Sequence, residues 1–320
     1  MAHFRFPSIV FGKHPRWWLR LILLGLFALG VSPRSYAALE TVPGNSLCDA
    51  AKRGDLAAVT ALLDGGLQVD TRNAEGRTAL MMAATNRHLD VVTFLLERGA
   101  DFNALSGHRE KRGSHVLTWA VGGGDLEIVK LLLDRGAKLN VRGTTGRSPL
   151  GQAVIGRFPA MVQLLLDRGA DINFPGMEYT PGEKGEEPRL SVPLLVAAHE
   201  GATEIAELLL KKGAAVDSED SHGDSALMFA ARTGQRAMVD LLIEKGADVN
   251  HQGINGHTAL IYGAYNGYVG IVAALLKAGA KQSLLAHNRY GGEWGSAFGA
   301  ESCAREQGHV LVADMLMKAR

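Results

Sequence analysis

Leu95-Leu96-Glu97-Arg98-Gly99-Ala100 decides the fold, because it does not occur only once. An apolar pair, two intervening residues, Gly and Ala return at 132–137, 165–170, 209–214, 242–247 and 275–280, and Leu62-Leu63-Asp64-Gly65-Gly66 is a weaker copy. The second apolar residue of each pair stands at 63, 96, 133, 166, 210, 243 and 276, so the steps are 33, 37, 33, 44, 33 and 33. A period of 33 broken by two insertions marks a repeat array. It displaces the reading as one or two ordinary domains that 320 residues would otherwise invite.

Each unit has a physical reading. Val92, Leu95 and Leu96 lie at i, i+3 and i+4, one apolar helix face, and Val239, Leu242 and Ile243 repeat it. The Gly that follows suits the left-handed residue that ends a helix. About a dozen residues earlier comes a helix of small residues, such as Thr78-Ala79-Leu80-Met81-Met82-Ala83-Ala84 or Ser225-Ala226-Leu227-Met228-Phe229-Ala230-Ala231, whose Ala pair lets helices approach closely. Asp248-Val249-Asn250 and Asn255-Gly256 predict an extended segment and a tight turn between units.

This unit resembles the ankyrin repeat. Gly76-Arg77-Thr78-Ala79-Leu80, Gly146-Arg147-Ser148-Pro149-Leu150 and Gly256-His257-Thr258-Ala259-Leu260 carry the family's opening. Ala100-Asp101-Phe102-Asn103, Ala170-Asp171-Ile172-Asn173 and Ala247-Asp248-Val249-Asn250 carry its close. The resemblance covers about 45–320 and implies an all-α solenoid of about eight helix-turn-helix units, caps included, with hairpin-like fingers. The units fall at about 45–72, 73–104, 105–142, 143–175, 176–219, 220–252, 253–285 and 286–320, in one ankyrin repeat domain over 38–320. The family's His after Leu is replaced by Met81, Thr118, Gly151, Leu195, Met228 and Ile261, so its Thr–His network is expected to be missing and the packing between units more apolar.

Residues 1–37 read differently. Arg5, Lys13, Arg16 and Arg20 precede an uncharged apolar run, Leu21 to Val31, and then Ser35-Tyr36-Ala37. That order is a secretory signal peptide, with an uncleaved anchor as the alternative. The run is short of the ~20 residues that cross a bilayer core. Removing 1–37 takes away five basic and no acidic side chains, so the net charge falls from +1 to −4, with 29 basic against 33 acidic residues. A phosphate-tracking nucleic-acid binder would need a basic surface instead. Apolar content of 47% excludes a disordered chain, and two cysteines exclude a disulfide scaffold.

Little in the array suggests chemistry. Four extra residues near Leu105–Ser114, including His108-Arg109-Glu110-Lys111-Arg112, and eleven within Pro175–Ser191 read either as enlarged solvated fingers or as two contact arms, one basic and one acidic. The nine His of the mature chain lack carboxylates or Cys at metal-ligand spacing, and His199-Glu200 lacks the second His of a zinc-protease helix. Gly122-Gly123-Gly124 joins two helices without the preceding strand of a phosphate loop. Cys48 and Cys303 lie seven units apart, on the order of 60 Å at ~8–10 Å per step, and so cannot pair within one chain.

By analogy with the family, the residue before the Ala pair points into a concave groove. Along the chain it is Asp49, Met82, Trp119, Gln152, Val196, Phe229 and Tyr262, and one turn later come Lys52, Thr85, Gly122, Ile155, His199, Arg232 and Tyr265. Large apolar, aromatic and Arg side chains dominate binding hot spots. Met82, Trp119, Val196, His199, Phe229, Arg232, Tyr262 and Tyr265 are therefore the candidate protein-binding residues; the competing reading is that they pack between units. The expectation is an exported, non-catalytic, monomeric interaction protein without cofactor, metal, nucleic acid or stable membrane insertion. It would be addressed to the periplasm or secreted, and would act as an inhibitor, immunity factor or protective scaffold, or as an effector on a host protein. A small-molecule binder or enzyme built on the inserted loops is the other class.

Overall fold

The computed structural model describes residues 43–107, 113–143, 146–178, 189–287 and 297–319. The leader reading of 1–37 and the finger tips at 108–112 and 179–188 lie outside them. Sixteen helices are described, in eight antiparallel pairs. The first helix of each pair is α1 (Pro43–Arg53), α3 (Ala79–Thr85), α5 (Val116–Gly123), α7 (Pro149–Ile155), α9 (Pro193–Glu200), α11 (Ala226–Arg232), α13 (Ala259–Tyr265) and α15 (Ala300–Glu306). The second is α2 (Leu56–Asp64), α4 (Leu89–Glu97), α6 (Leu126–Asp134), α8 (Pro159–Asp167), α10 (Thr203–Lys211), α12 (Arg236–Glu244), α14 (Val269–Lys277) and α16 (Val310–Lys318). The chain is an α-solenoid. None of the described helices is long and apolar enough to cross a membrane.

Helices of seven to nine residues do not persist alone in water, so each depends on its neighbours. The first helices pack closely one on the next, while the second helices stand farther apart. The row therefore curves, and its concave face belongs to the first helices. Small residues cause this: Ala83-Ala84, Ala153, Ala197-Ala198 and Ala230-Ala231 are fully buried at the contact. The Thr or Ser of the opening caps the first helix, as Thr78, Ser148 and Thr258 accept from the backbone N–H of Met81, Gly151 and Ile261 at 3.4, 3.0 and 3.2 Å.

The positions of the missing His are occupied by buried Met81, Thr118, Leu195, Met228 and Ile261, so that tier of the seam is largely apolar. A polar ladder runs beside it. The Asn or Asp that closes one unit accepts a backbone N–H from the next: Asp70 from Asp101 at 3.1 Å, Asn103 from Lys138 at 3.1 Å, Asn140 from Asp171 at 2.9 Å and Asn250 from Lys281 at 2.7 Å. Desolvation holds the Asp70 carboxyl above the usual carboxylate range, against the lowering effect of that hydrogen bond, with Asp101 adding repulsion. A carboxyl whose folded pKa is raised costs stability once it ionises, and the cost disappears as pH falls through its pKa. Asp70→Asn, which copies Asn103 and Asn140, should therefore raise the urea midpoint at pH 7 by the equivalent of about 0.5 kcal/mol. The gap to wild type should close below about pH 4. A gap that persists there would show that charge is not its cause.

A second seam feature lies in the turn between paired helices. That turn needs a left-handed residue, and six units use Gly (54, 124, 201, 234, 267 and 308, φ 65 to 77°). Two use Arg instead, Arg87 at φ 65° and Arg157 at φ 54°. Beside Gly54, Gly124, Gly201, Gly234 and Gly267 the next unit places His88, Phe158, Gln235, Tyr268 and His309, each filling the space where a Cβ would stand. Beside Arg87 and Arg157 the facing residues are Asp125 and Ala202, which are short. Arg87 lies 3.9 Å from the Asp125 carboxylate, and Arg157 donates to the Glu200 carbonyl. Glycine meets bulk, and arginine meets a small residue.

Four antiparallel pairings are described: a Glu219–Ser225 bridge in a unit of ordinary length, and three in lengthened fingers. Leu105 bridges His115; β1 (Gly176–Glu178) pairs with β2 (Arg189–Ser191); β3 (Ala286–His287) pairs with β4 (Ala297–Phe298). The third was not expected. The last unit lacks the Leu-Leu-x-x-Gly-Ala marker from which insertions are counted. Cys48 and Cys303 are buried free thiols, and burial pushes both to about 11, which keeps them protonated and unreactive near neutral pH.

Candidate functional site

The concave face carries two rows. One is the helix row named above. The other is the variable residue just before the helix cap: Arg77, Ser114, Arg147, Asp224, His257 and Phe298. The turn row leans over the helix row. Arg77 places its guanidinium 4.8 Å over the Trp119 ring in the following unit. Asp224 accepts a hydrogen bond from the Tyr262 hydroxyl at 3.2 Å, again one unit on.

The two rows converge in the sixth and seventh units. His257 stacks on Tyr262 with ring centroids 5.0 Å apart and meets Phe298 edge-on at 5.7 Å. Arg232 lies 4.6 Å over Phe229 and 5.6 Å from the Tyr262 ring, and His199 meets Phe229 edge-on at 6.1 Å. Aromatic faces attract guanidinium groups, so this cluster fixes the arginine plane. Asp224 is buried, and its Oδ2 lies 3.8 Å from Arg232 Nη1.

Of the eight candidate residues, His199, Phe229, Arg232 and Tyr262 come together here, with Tyr265 one turn below. Tyr265 is 50% exposed and Arg232 27%. Phe229 is only 1% exposed and Val196 7%, as the alternative of packing between units expects, and Arg232 and His199 cover the Phe229 ring. Met82 and Trp119 are half-buried and sit four and three units from the sixth, near the other end. The Trp119 indole Nε1 is buried with no hydrogen-bond partner among the described residues. Arg77, Asp224, His257 and Phe298 were missed as site residues. For the first three the signal was present, because each is the varying x of a Gly-x-Thr or Gly-x-Ser frame; Phe298 stands in Ala297-Phe298-Gly299 and lacks it.

Gly122, Gly123 and Gly124 separate into three structural roles. Gly122 faces the open groove, Gly123 lets two backbones touch, and Gly124 is the left-handed end of α5 at φ 77°. A crevice lined by Glu207, Leu210, Lys211, Ala214, Val216 and Lys245 lies on the outer-helix side, away from the groove. No three His, Cys, Asp or Glu side chains among the described residues are placed to hold a metal ion.

A family model described as ankyrin repeats in three copies matches residues 39–106, 104–175 and 194–285. The chain is 45% identical over 65 residues to the human ankyrin repeat domain-containing protein 29, covering 20% of this chain and 22% of that protein. It is 39% identical over 69 residues to the potassium channel AKT2/3 of Arabidopsis thaliana (22% and 9%), and 38% identical over 82 residues to the mitochondrial disaggregase of Bos taurus (25% and 12%). The chain thus spans less than a quarter of the length of each of these relatives. The family model covers most of the chain, and the helix pairs, caps and closes described above are its parts: this protein belongs to the ankyrin repeat family.

Proposed function

We propose that this protein is an exported, non-catalytic interaction module that grips a folded protein partner with its concave face, assisted by the fingers. Ankyrin repeats suggest a protein–protein interaction module, and the paired helices continue along the whole described chain. The observation that carries the groove reading is the Arg232–Tyr262–His257–Phe298 cluster with exposed Tyr265 beside it. A rigid aromatic and arginine surface is the composition of binding hot spots. The leader-like residues 1–37 support export, to a periplasm or to the medium, where the module would inhibit, shield or scaffold its partner.

The test is affinity purification of tagged protein from its own compartment, beside a variant carrying Met82→Ala, Trp119→Ala, Tyr262→Ala and Tyr265→Ala. Circular dichroism checks that the variant is folded. One dominant partner should be lost from the folded variant, with affinity down at least about thirtyfold, the equivalent of one hot spot of ~2 kcal/mol. A partner that stays on the folded variant moves recognition away from the groove. Fractionation fixes the address: periplasmic extract and culture supernatant are its two alternatives.

A further inference from the structure

We infer that the partner meets this face with carboxylate side chains, at three stations set by Arg77, Arg147 and Arg232; the inference rests on the groove reading above. Several arginines elsewhere on the molecule are ion-paired at hydrogen-bond distance. Arg98 pairs with Asp64 at 2.9 Å, Arg168 with Asp134 at 2.8 Å and Arg236 with Asp240 at 2.8 Å, all involving the second helices. Of the groove arginines, Arg77 and Arg147 have no ion pair among the described residues, and Arg232 has only a long one. Among the described residues no carboxylate lies within ion-pair distance of Arg77, whose guanidinium rests on the Trp119 ring. Arg147 holds the same turn position two units on, and its Nε is buried without a hydrogen-bond partner among the described residues. Arg232 has Asp224 at 3.8 Å, beyond hydrogen-bond distance, and that carboxylate is held by the Tyr262 hydroxyl.

A guanidinium stacked on a ring has its plane fixed and its edge donors free. That is the geometry a carboxylate takes bidentately, with little ordering left to do on binding. The local charge also stands against the average: the chain beyond residue 37 is net −4, while the two rows of this face carry Lys52, Arg77, Arg147 and Arg232 against Asp49 and Asp224. Asp224 is buried, and Glu200, next to the helix row, lies 3.3 Å from His199. Spacing decides the class of partner. The stations are two units apart, ~16–20 Å at ~8–10 Å per unit, whereas a nucleic-acid strand carries a phosphate about every 3.4 Å of helix axis. Isolated point contacts suit carboxylates spread over a protein surface.

The experiment uses fluorescence anisotropy with a labelled poly-L-glutamate of about 20 residues, long enough at ~3.3 Å per residue to cover all three stations. Poly-L-lysine is the control probe. The proteins are wild type, Arg77→Gln, Arg147→Gln, Arg232→Gln and the outer-face control Arg98→Gln, each checked by circular dichroism. Poly-glutamate should bind wild type and weaken as salt rises. Each groove substitution should weaken it about fivefold, and Arg98→Gln should leave it unchanged. The inference is overturned if wild type ignores poly-glutamate, if poly-lysine binds equally well, or if Arg98→Gln weakens binding as much as Arg77→Gln. With the purified partner the two readings separate. Loss on the aromatic variant but retention on the arginine variants keeps the groove and discards the carboxylates; retention on both discards both.

Discussion

Gly123→Ala should destabilise the protein by about 2 kcal/mol, although the residue sits in the last turn of a helix where alanine is normally the better choice. Two effects oppose each other. Ala in place of Gly in a helix gains ~1 kcal/mol of propensity. Against this, a Cβ at Gly123 would stand 2.7 Å from the carbonyl oxygens of both Ala84 and Thr85 in the preceding unit. Those are backbone atoms at the end of α3, and no rotamer change relieves them. Overpacking of this kind costs ~1–3 kcal/mol, and without a side chain to yield the upper part of that range applies. Gly122→Ala is the control, because there the nearest neighbour of a Cβ is the Gln152 side chain at 3.7 Å. It should stabilise by up to ~1 kcal/mol. Urea titration followed by circular dichroism reads both. If the two substitutions move the midpoint in the same direction, the close approach of the second and third units is not what requires Gly123.

Gly234→Ala should cost more, about 2–4 kcal/mol. The left-handed backbone at φ 77° charges an alanine ~1–2 kcal/mol, and a Cβ there would lie 2.9 Å from Tyr268 Cζ. The second contribution is removable, so Tyr268→Ala in the same chain should recover at least about 1 kcal/mol more than additivity allows. The seams at Arg87 and Arg157 already show the relaxed arrangement, with Asp125 and Ala202 in the facing place. A double-mutant cycle in urea measures the coupling. Strict additivity would mean that backbone strain alone fixes glycine at this turn and that the facing residue is irrelevant.

The fold was legible in the sequence because its evidence is local and repeated. The Leu-Leu-x-x-Gly-Ala marker, the Ala pairs and the Thr or Ser cap each depend on a few neighbouring residues, and the period counts them. The site was legible only by position. The helix row reads as a column on one face, yet whether Phe229 is offered or covered depends on His199 and Arg232, and no periodicity reports which way a neighbour leans. The turn row was missed for the same reason: Arg77 acts on Trp119, 42 residues away, and His257 on Phe298, 41 residues away. The third finger escaped because the final unit has lost the marker that measures length. The Asn and Asp ladder was hidden in residues that also read as ordinary turn formers.

The alternation of Gly and Arg at the inter-helix turn has a consequence for how such a chain can change length. From the second unit to the fifth, a unit with a bulky rear residue and an arginine in front alternates with one that has a short rear residue and a glycine in front. Excising the third unit alone would set Arg87 against Phe158, whose ring already fills the room that a glycine leaves. Excising the third and fourth together would set Arg87 against Ala202, and the join would match. This part of the array has a parity: its joins match when it is shortened or duplicated in twos, and fail to match when it changes by one.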